Sequence, residues 1–167
     1  SILSSNMVLQ QHTNVKLWGK AQKNSPITIK TSWDNKTYKT IADKQGKWLL
    51  NISTPVAGGP YEITFNDGEL LTLKNILISE VWFCSGQSNM EFYLNWSATA
   101  AQDVPQAANS NIRFYDMKAR WRTDAVEWDA SVLDSLNHLQ YYKDTRWTVC
   151  SPETAGNFSA VAYYFGK

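Results

Sequence analysis

The residues best suited by type and spacing to bond-making chemistry are Gly86-Gln87-Ser88-Asn89-Met90. A serine hydroxyl becomes a useful nucleophile when a tight turn presents it beside backbone N–H groups that stabilise an oxyanion. It also needs a base within reach, normally a His oriented by a carboxylate. Gly86 is expected to let the backbone bend at that turn. The motif follows the apolar run Ile76 to Cys84, which would place it at the carboxyl edge of a strand, where open parallel sheets bind ligands. The chemistry implied is ester hydrolysis. The same residues also read Ser88-Asn89-Met90-Glu91, a Ser-x-x-Glu capping box, in which Ser88 would only cap a helix. Pattern alone leaves both roles open, and they are not exclusive.

The elements that must position this motif differ on its two sides. Before it, alternating apolar and polar runs recur every eight to twelve positions, as in a small antiparallel sandwich. Val15 to Trp18, Ile27 to Trp33, Lys36 to Ile41, Lys47 to Ile52, Tyr61 to Phe65 and Leu70 to Leu73 read as strands, with Trp33 and Trp48 in the core. Turns are expected at Asp34-Asn35, Gln45-Gly46 and Asn66-Asp67-Gly68. From Asn75 the grammar changes: Ile76 to Cys84 reads as a strand buried on both faces. A helical stretch over Ser97 to Ala108 and a second strand over Asn111 to Met117 follow, which predicts a parallel sheet. Phe158, Val161, Ala162 and Phe165 fall on one helical face that needs a partner. The division expected is 1–74 for the sandwich and 75–167 for the opening part of an α/β domain, the front of a longer protein.

Composition narrows the partners. The 167 residues carry 16 Lys and Arg against 15 Asp and Glu, a net charge of +1, so there is no electrostatic footprint for nucleic acid. No apolar run approaches the roughly 20 residues of a membrane-spanning helix, and no membrane insertion is expected. The amino terminus has neither an initiator Met nor a charged start before an apolar run, so an export signal is expected to have been removed or never included. Cys84 and Cys150 lack zinc-site spacing and are expected as two buried free thiols, with an oxidised pair conceivable if the protein is exported. Asp124, Glu127 and Asp129 form an acidic cluster without calcium-loop spacing, so neither metal nor cofactor is expected. Trp121, Trp128, Tyr141, Tyr142 and Trp147 would form either a sugar-stacking wall or, the favoured reading, a closure of the core around an irregular segment. Gly156 and Asn157 are positioned as oxyanion-loop residues, although both are ordinary loop residues too.

Several stretches, taken in order, carry a resemblance. They include Ser4 to Gln10, Val15 to Gly19, Asp43 to Trp48, Ala57 to Tyr61, Glu80 to Glu91, Ile112 to Phe114 and Phe158 to Phe165. Together they resemble the amino-terminal part of sialate O-acetylesterases, serine esterases of the SGNH (GDSL-like) hydrolase superfamily. The resemblance covers nearly the whole chain and is most specific around Ser88. It implies a small β-sandwich followed by a flavodoxin-like three-layer esterase domain. It implies Ser88 as nucleophile with its own N–H as an oxyanion donor, and Gly86, Gln87 and Asn89 as residues shaping the site. It also implies an O-acetylated sugar as substrate and a secreted, periplasmic or lysosomal setting.

The departures are as informative. The family's Asp-x-x-His block and its Gly-Glu block of further oxyanion donors are missing from this sequence. Asp134 and His138 are separated by three residues rather than two, and His12 sits beside a predicted turn, so neither histidine is expected to act as the base. The chain alone is therefore expected to be inactive. An acetylxylan-type polysaccharide esterase and a non-catalytic carbohydrate-binding module are the alternatives. Nothing in the sequence sets the oligomeric state, although an incomplete sheet edge would let a fragment pair with its copy.

Overall fold

The computed structural model describes residues 2–119, 129–137 and 142–167. Trp121, Asp124, Glu127, Trp128, His138 and Tyr141 therefore lie outside the described residues. Seven strands come first: β1 (Val8–Gln10), β2 (Asn14–Lys20), β3 (Pro26–Thr31), β4 (Thr37–Ile41), β5 (Lys47–Ser53), β6 (Gly58–Asn66) and β7 (Leu70–Ser79). Five of them form a sheet in the order β1-β7-β6-β3-β4, antiparallel except where β1 runs parallel to β7, while β2 and β5 form an antiparallel ribbon. The alternation read from the sequence becomes burial. Ile27 and Ile29 of β3, Leu17 of β2, Ile52 of β5, Ile63 of β6, and Ile76 and Ile78 of β7 meet in one core with Met7. Trp33 and Trp48 pack on its rim.

The turns have local causes. Asp34 Oδ1 accepts from Thr31 Oγ1 at 2.5 Å and from the Lys36 N–H at 2.9 Å, closing the β3–β4 hairpin with Asn35 at φ 55°. Gly46 sits at φ +75°, where an added Cβ would come within 2.4 Å of the Ala21 carbonyl oxygen, so a larger residue is excluded by both strain and space.

β7 does not stop at the expected boundary between 74 and 75. It runs through it, and its last residues belong to the first core. Pairing with β6 slips between Ile63↔Leu73 and Tyr61↔Ile76, a bulge that inserts one extra residue into β7 and leaves Asn75 at φ 58°. The expected strand over Ile76 to Cys84 is thus cut short at Ser79. Val81, Trp82 and Phe83 are exposed, because the sheet offers them no neighbour. Cys84 is exposed as well, against the expectation of a buried thiol, whereas Cys150 is buried and its Sγ donates to the Ala107 carbonyl at 2.9 Å; both are free.

The remainder is short elements around a second core: α1 (Ser88–Glu91), a 3₁₀ turn (Leu94–Trp96), α2 (Ala100–Asp103), β8 (Asn109–Phe114), α3 (Ala130–Asn137), β9 (Thr148–Cys150), α4 (Pro152–Ala155) and α5 (Ala160–Gly166). The expected helix over Ser97 to Ala108 contracts to α2. β8 pairs antiparallel with β9, so the only parallel pair among the described residues is β1–β7. The second core holds Leu94, Ala107, Phe114, Cys150, Ala155, Ala160 and Tyr163, with Phe158 stacked on Phe114 at 4.1 Å between ring centroids. The expected stripe on the last helix is split: Ala162 is buried and Phe158 packs on the second core, together with Ala160 and Tyr163, while Val161 and Phe165 are exposed. Helical periodicity gives the width of an apolar face but not which neighbour it meets.

Arg113 joins the two cores. Its Nη1 donates to the carbonyls of Asn75 at 2.9 Å and Asn6 at 3.3 Å, and its Nη2 donates to Asn75 Oδ1 at 3.1 Å and the Ser110 carbonyl at 2.9 Å. Asn75 Nδ2 in turn donates to Asn6 Oδ1 at 2.7 Å. Hydrogen bonds to a charged group contribute about 1.5–3 kcal/mol when half-buried acceptors would otherwise lose them. Arg113→Gln is accordingly expected to lower the unfolding free energy by roughly 2 kcal/mol in urea titrations; a change under about 0.5 kcal/mol, the size of an ordinary surface substitution, would show that the guanidinium is not the joint.

Candidate active site

The segment that carries Ser88 is fixed at its entry by a carboxylate. Glu80, the first residue after β7, accepts from Gln10 Nε2 at 2.8 Å and from Gln11 Nε2 at 2.6 Å. Gln10 Oε1 accepts from the Val81 N–H at 2.8 Å, and Gln11 Oε1 from the Ala57 N–H at 2.9 Å. These donors hold the Glu80 carboxyl below the ordinary glutamate range, the Gln10 bond being the largest cause and the Gln11 bond the next.

From there the chain crosses an exposed stretch in which the Trp82 indole meets Phe165 of α5 edge-on at 5.1 Å. Gly86 does not take the left-handed backbone that would demand glycine. Its requirement is space, because an added Cβ would lie 3.2 Å from Met90 Cβ.

Ser88 is the first residue of α1, and Gln87 occupies the capping position without a side-chain hydrogen bond. The capping-box reading therefore fails, since a cap must sit one residue before the helix for its oxygen to reach the N–H two or three residues on. Ser88 and Asn89 are exposed. Met90 N–H donates to the Gln87 carbonyl at 2.9 Å, while among the described residues no hydrogen bond engages Ser88 Oγ or the N–H groups of Ser88 and Asn89. The arrangement leaves a hydroxyl and two adjacent backbone donors uncommitted at one exposed turn.

The exit of the segment is bound to the last part of the chain. Ser159 Oγ donates to Met90 Sδ at 3.2 Å and accepts from the Ala162 N–H at 3.3 Å, so one hydroxyl both caps α5 and holds α1. The Ala160 N–H donates to the Phe92 carbonyl at 2.8 Å, Leu94 N–H to the Phe158 carbonyl at 3.0 Å, and Asn95 N–H to the Gly156 carbonyl at 2.9 Å. Gly156 is buried, with the Asn95 side-chain amide packed where a Cβ would stand, 2.7 Å away. Asn157 is exposed, and its Oδ1 accepts from Asn95 Nδ2 at 3.3 Å. Gly156 and Asn157 are thus brought to Asn95 in the 3₁₀ turn that follows α1.

Of the two histidines, His12 is exposed in the turn after β1 at φ 50°, bonded through its N–H to the Pro55 carbonyl, and His138 lies outside the described residues. Asp129 acts as a helix cap: its Oδ1 accepts from the N–H groups of Ser131 at 2.9 Å and Val132 at 3.0 Å. Trp147 packs on the first core, with its Nε1 donating to the Ile2 carbonyl at 2.8 Å and its ring tilted on Tyr115. Sequence reasoning missed Gln10, Gln11, Asn95 and Ser159. Ser159 before an apolar helical run carried a readable cap signal; the glutamines are seventy residues from Glu80 and carried none.

No family model matches the chain. Two curated proteins named sialate O-acetylesterase, from Rattus norvegicus and Mus musculus, align with all of it over 186 residues at 27% and 24% identity, as does the human one over 183 residues at 22%. The crystal structure of a carbohydrate acetylesterase from Xanthomonas citri superposes on 98% of the chain with a TM-score of 0.79 and 28% identity. The chain is similar over its whole length to the amino-terminal part of sialate O-acetylesterases. It spans about a third of its relatives' length, 32% of the rodent proteins and 35% of the Xanthomonas chain. The Ser88 turn is held at both ends, by Glu80 and by Ser159.

The entry clamp gives a pH signature. A depressed carboxyl pKa contributes stability that is present above the ordinary glutamate range and is lost as pH falls through the depressed value. Gln11→Ala is expected to move the Glu80 carboxyl resonance titration upward in NMR, toward the ordinary range. An unchanged midpoint would show that Gln11 does not hold this carboxylate.

Proposed function

We propose that this chain is the amino-terminal part of a carbohydrate O-acetylesterase in which Ser88 is the nucleophile. The observation that carries the reading is the uncommitted Ser88 hydroxyl, exposed at the first position of α1 beside free N–H groups. The whole-chain likeness to proteins named sialate O-acetylesterase and carbohydrate acetylesterase supports it. Ser88 Oγ attacks the carbonyl carbon of the acetyl ester, and the oxyanion that forms takes hydrogen bonds from the Ser88 N–H and from further donors, with Gln87 and Asn89 shaping the approach. Collapse expels the sugar hydroxyl, which takes the proton from the general base, and leaves acetyl-Ser88. Water then attacks that ester, releasing acetate and restoring the serine.

The base and its carboxylate partner belong, on the family's pattern, to an Asp-x-x-His block elsewhere in the protein, and the 167-residue chain alone is inactive. The first unit is a small sandwich built on β1 to β7. The second opens a flavodoxin-like SGNH domain after β7, whose parallel strands are supplied by the rest of the protein. The substrate is an O-acetylated sugar, with sialic acid the relatives' namesake, and the setting is secreted, periplasmic or lysosomal. Among the described residues no helix is long and apolar enough to cross a membrane.

Acetate release is measured from O-acetylated sialic acid and from acetylated xylan, using the longer protein that carries this chain. Ser88→Ala is expected to reduce kcat by about a millionfold, as loss of a nucleophile does in comparable hydrolases, with circular dichroism unchanged. The 167-residue chain is expected to release none. Full turnover by Ser88→Ala, or turnover by the chain alone, would overturn the assignment.

A further inference from the structure

A second concave surface lies at the seam between the two cores, and no residue of the Ser88 turn lines it. It has a volume of about 620 Å³, within the roughly 300–1,000 Å³ of small-ligand sites. One wall is Ser4, Ser5 and Asn6, which lead into β1. The other is Arg146, Trp147 and Thr148, which lead into β9.

Its chemistry is one-sided. Among the described residues no carboxylate lines the groove. Arg146 is exposed, and no ion pair engages its guanidinium among the described residues. Asn6 uses its side-chain oxygen to accept from Asn75, which leaves its amide hydrogens to the groove. Ser5 Oγ accepts from the Lys74 N–H at 2.9 Å and keeps its own proton to give. Ser4 Oγ, shielded from solvent, has no partner. The half-buried Trp147 spends its indole N–H on the Ile2 carbonyl, so what it offers the groove is ring surface rather than a donor.

A guanidinium, an excess of neutral donors and an aromatic ring together suit a ligand with a carboxylate, several hydroxyls and an apolar ring face. We infer that this groove binds a carboxylate-bearing sugar residue at a site separate from the reacting centre. The ligand class rests on the carbohydrate reading above; the placement does not. The walls come from opposite ends of the chain, and Arg113 ties them: it holds the Asn6 carbonyl from β8, which is paired with β9. The groove therefore exists only when the two cores are docked.

The test uses the whole chain, ¹⁵N-labelled, titrated with N-acetylneuraminic acid, its uncharged methyl ester, N-acetylglucosamine and acetate. The acid is expected to shift the Trp147 indole and the Ser5 and Thr148 amides. The methyl ester and the Arg146→Gln variant are expected to bind at least about tenfold more weakly, the loss of one charge-assisted contact. Ser88→Ala should leave the titration unchanged, so a failed esterase assignment would not disturb it. Absence of shifts, equal binding of acid and ester, or the same shifts with acetate alone would overturn the site. Because Arg146 is exposed, its variant should fold, and matching amide spectra check that it does.

Discussion

The architecture depends on one guanidinium placed against a bulge. β7 carries one residue more than β6 can pair, and the surplus turns Asn75 into the left-handed region. A bulged residue loses its ladder partner, so its carbonyl needs a donor from elsewhere. Arg113 supplies that donor and adds a bond to the Asn75 side chain and another to the Asn6 carbonyl. Asn6 is itself left-handed, at φ 68°. Arg113 thus satisfies backbone groups that two unusual residues would otherwise leave short, while its own strand, β8, belongs to the second core. Burial lowers the Arg113 pKa without bringing a carboxylate partner, and carbonyl oxygens carry the compensation.

That joint sets the location of everything after β7. Phe114, next to Arg113, stacks on Phe158, and Phe158 precedes the serine that holds Met90. The Ser88 turn is therefore referenced to the first sheet twice: directly through Glu80 and the two glutamines, and indirectly through Arg113, Phe114, Phe158 and Ser159. On the proposed reading of Ser88 as a nucleophile, it must be held to fractions of an ångström for its attack geometry to count. Two anchors at either end of a short irregular segment do this more firmly than the segment's own four-residue helix, which is too short to be stable by itself.

The sequence was legible where local rules decide. Alternation at Ile27-Thr28-Ile29 put the right residues inside, and Asp34-Asn35 and Gln45-Gly46 turned the chain where they should. It was illegible where a neighbour decides. Ile76 to Cys84 is apolar except at Ser79 and Glu80, yet only its first half finds a sheet, because β1 pairs no further than Ser79. Of the stripe Phe158, Val161, Ala162 and Phe165, the second core takes up Phe158, and it adds Ala160 and Tyr163 in place of Val161 and Phe165. Ser88 itself was ambiguous on pattern, since cap and nucleophile need the same residue. A displacement of one position in the helix start separates them, and no spacing rule reaches that precision.

The exposed residues around the site follow from the same argument. Trp82 touches Phe165, Phe92 touches Trp96, and Val161 stands outward on α5. These exposed apolar side chains lie on α5 and on the segments directly before and after α1, where burial of each would contribute roughly 1.5–3 kcal/mol. Around the first core, Trp18 and Leu49 face each other across the β2–β5 ribbon and Leu70 and Leu71 open β7, all of them exposed as well. On the proposed reading, the side chains beside α1 and on α5 are surface for other parts of the longer protein to cover, while Gln10, Gln11, Glu80 and Ser159 hold the Ser88 segment from within this chain.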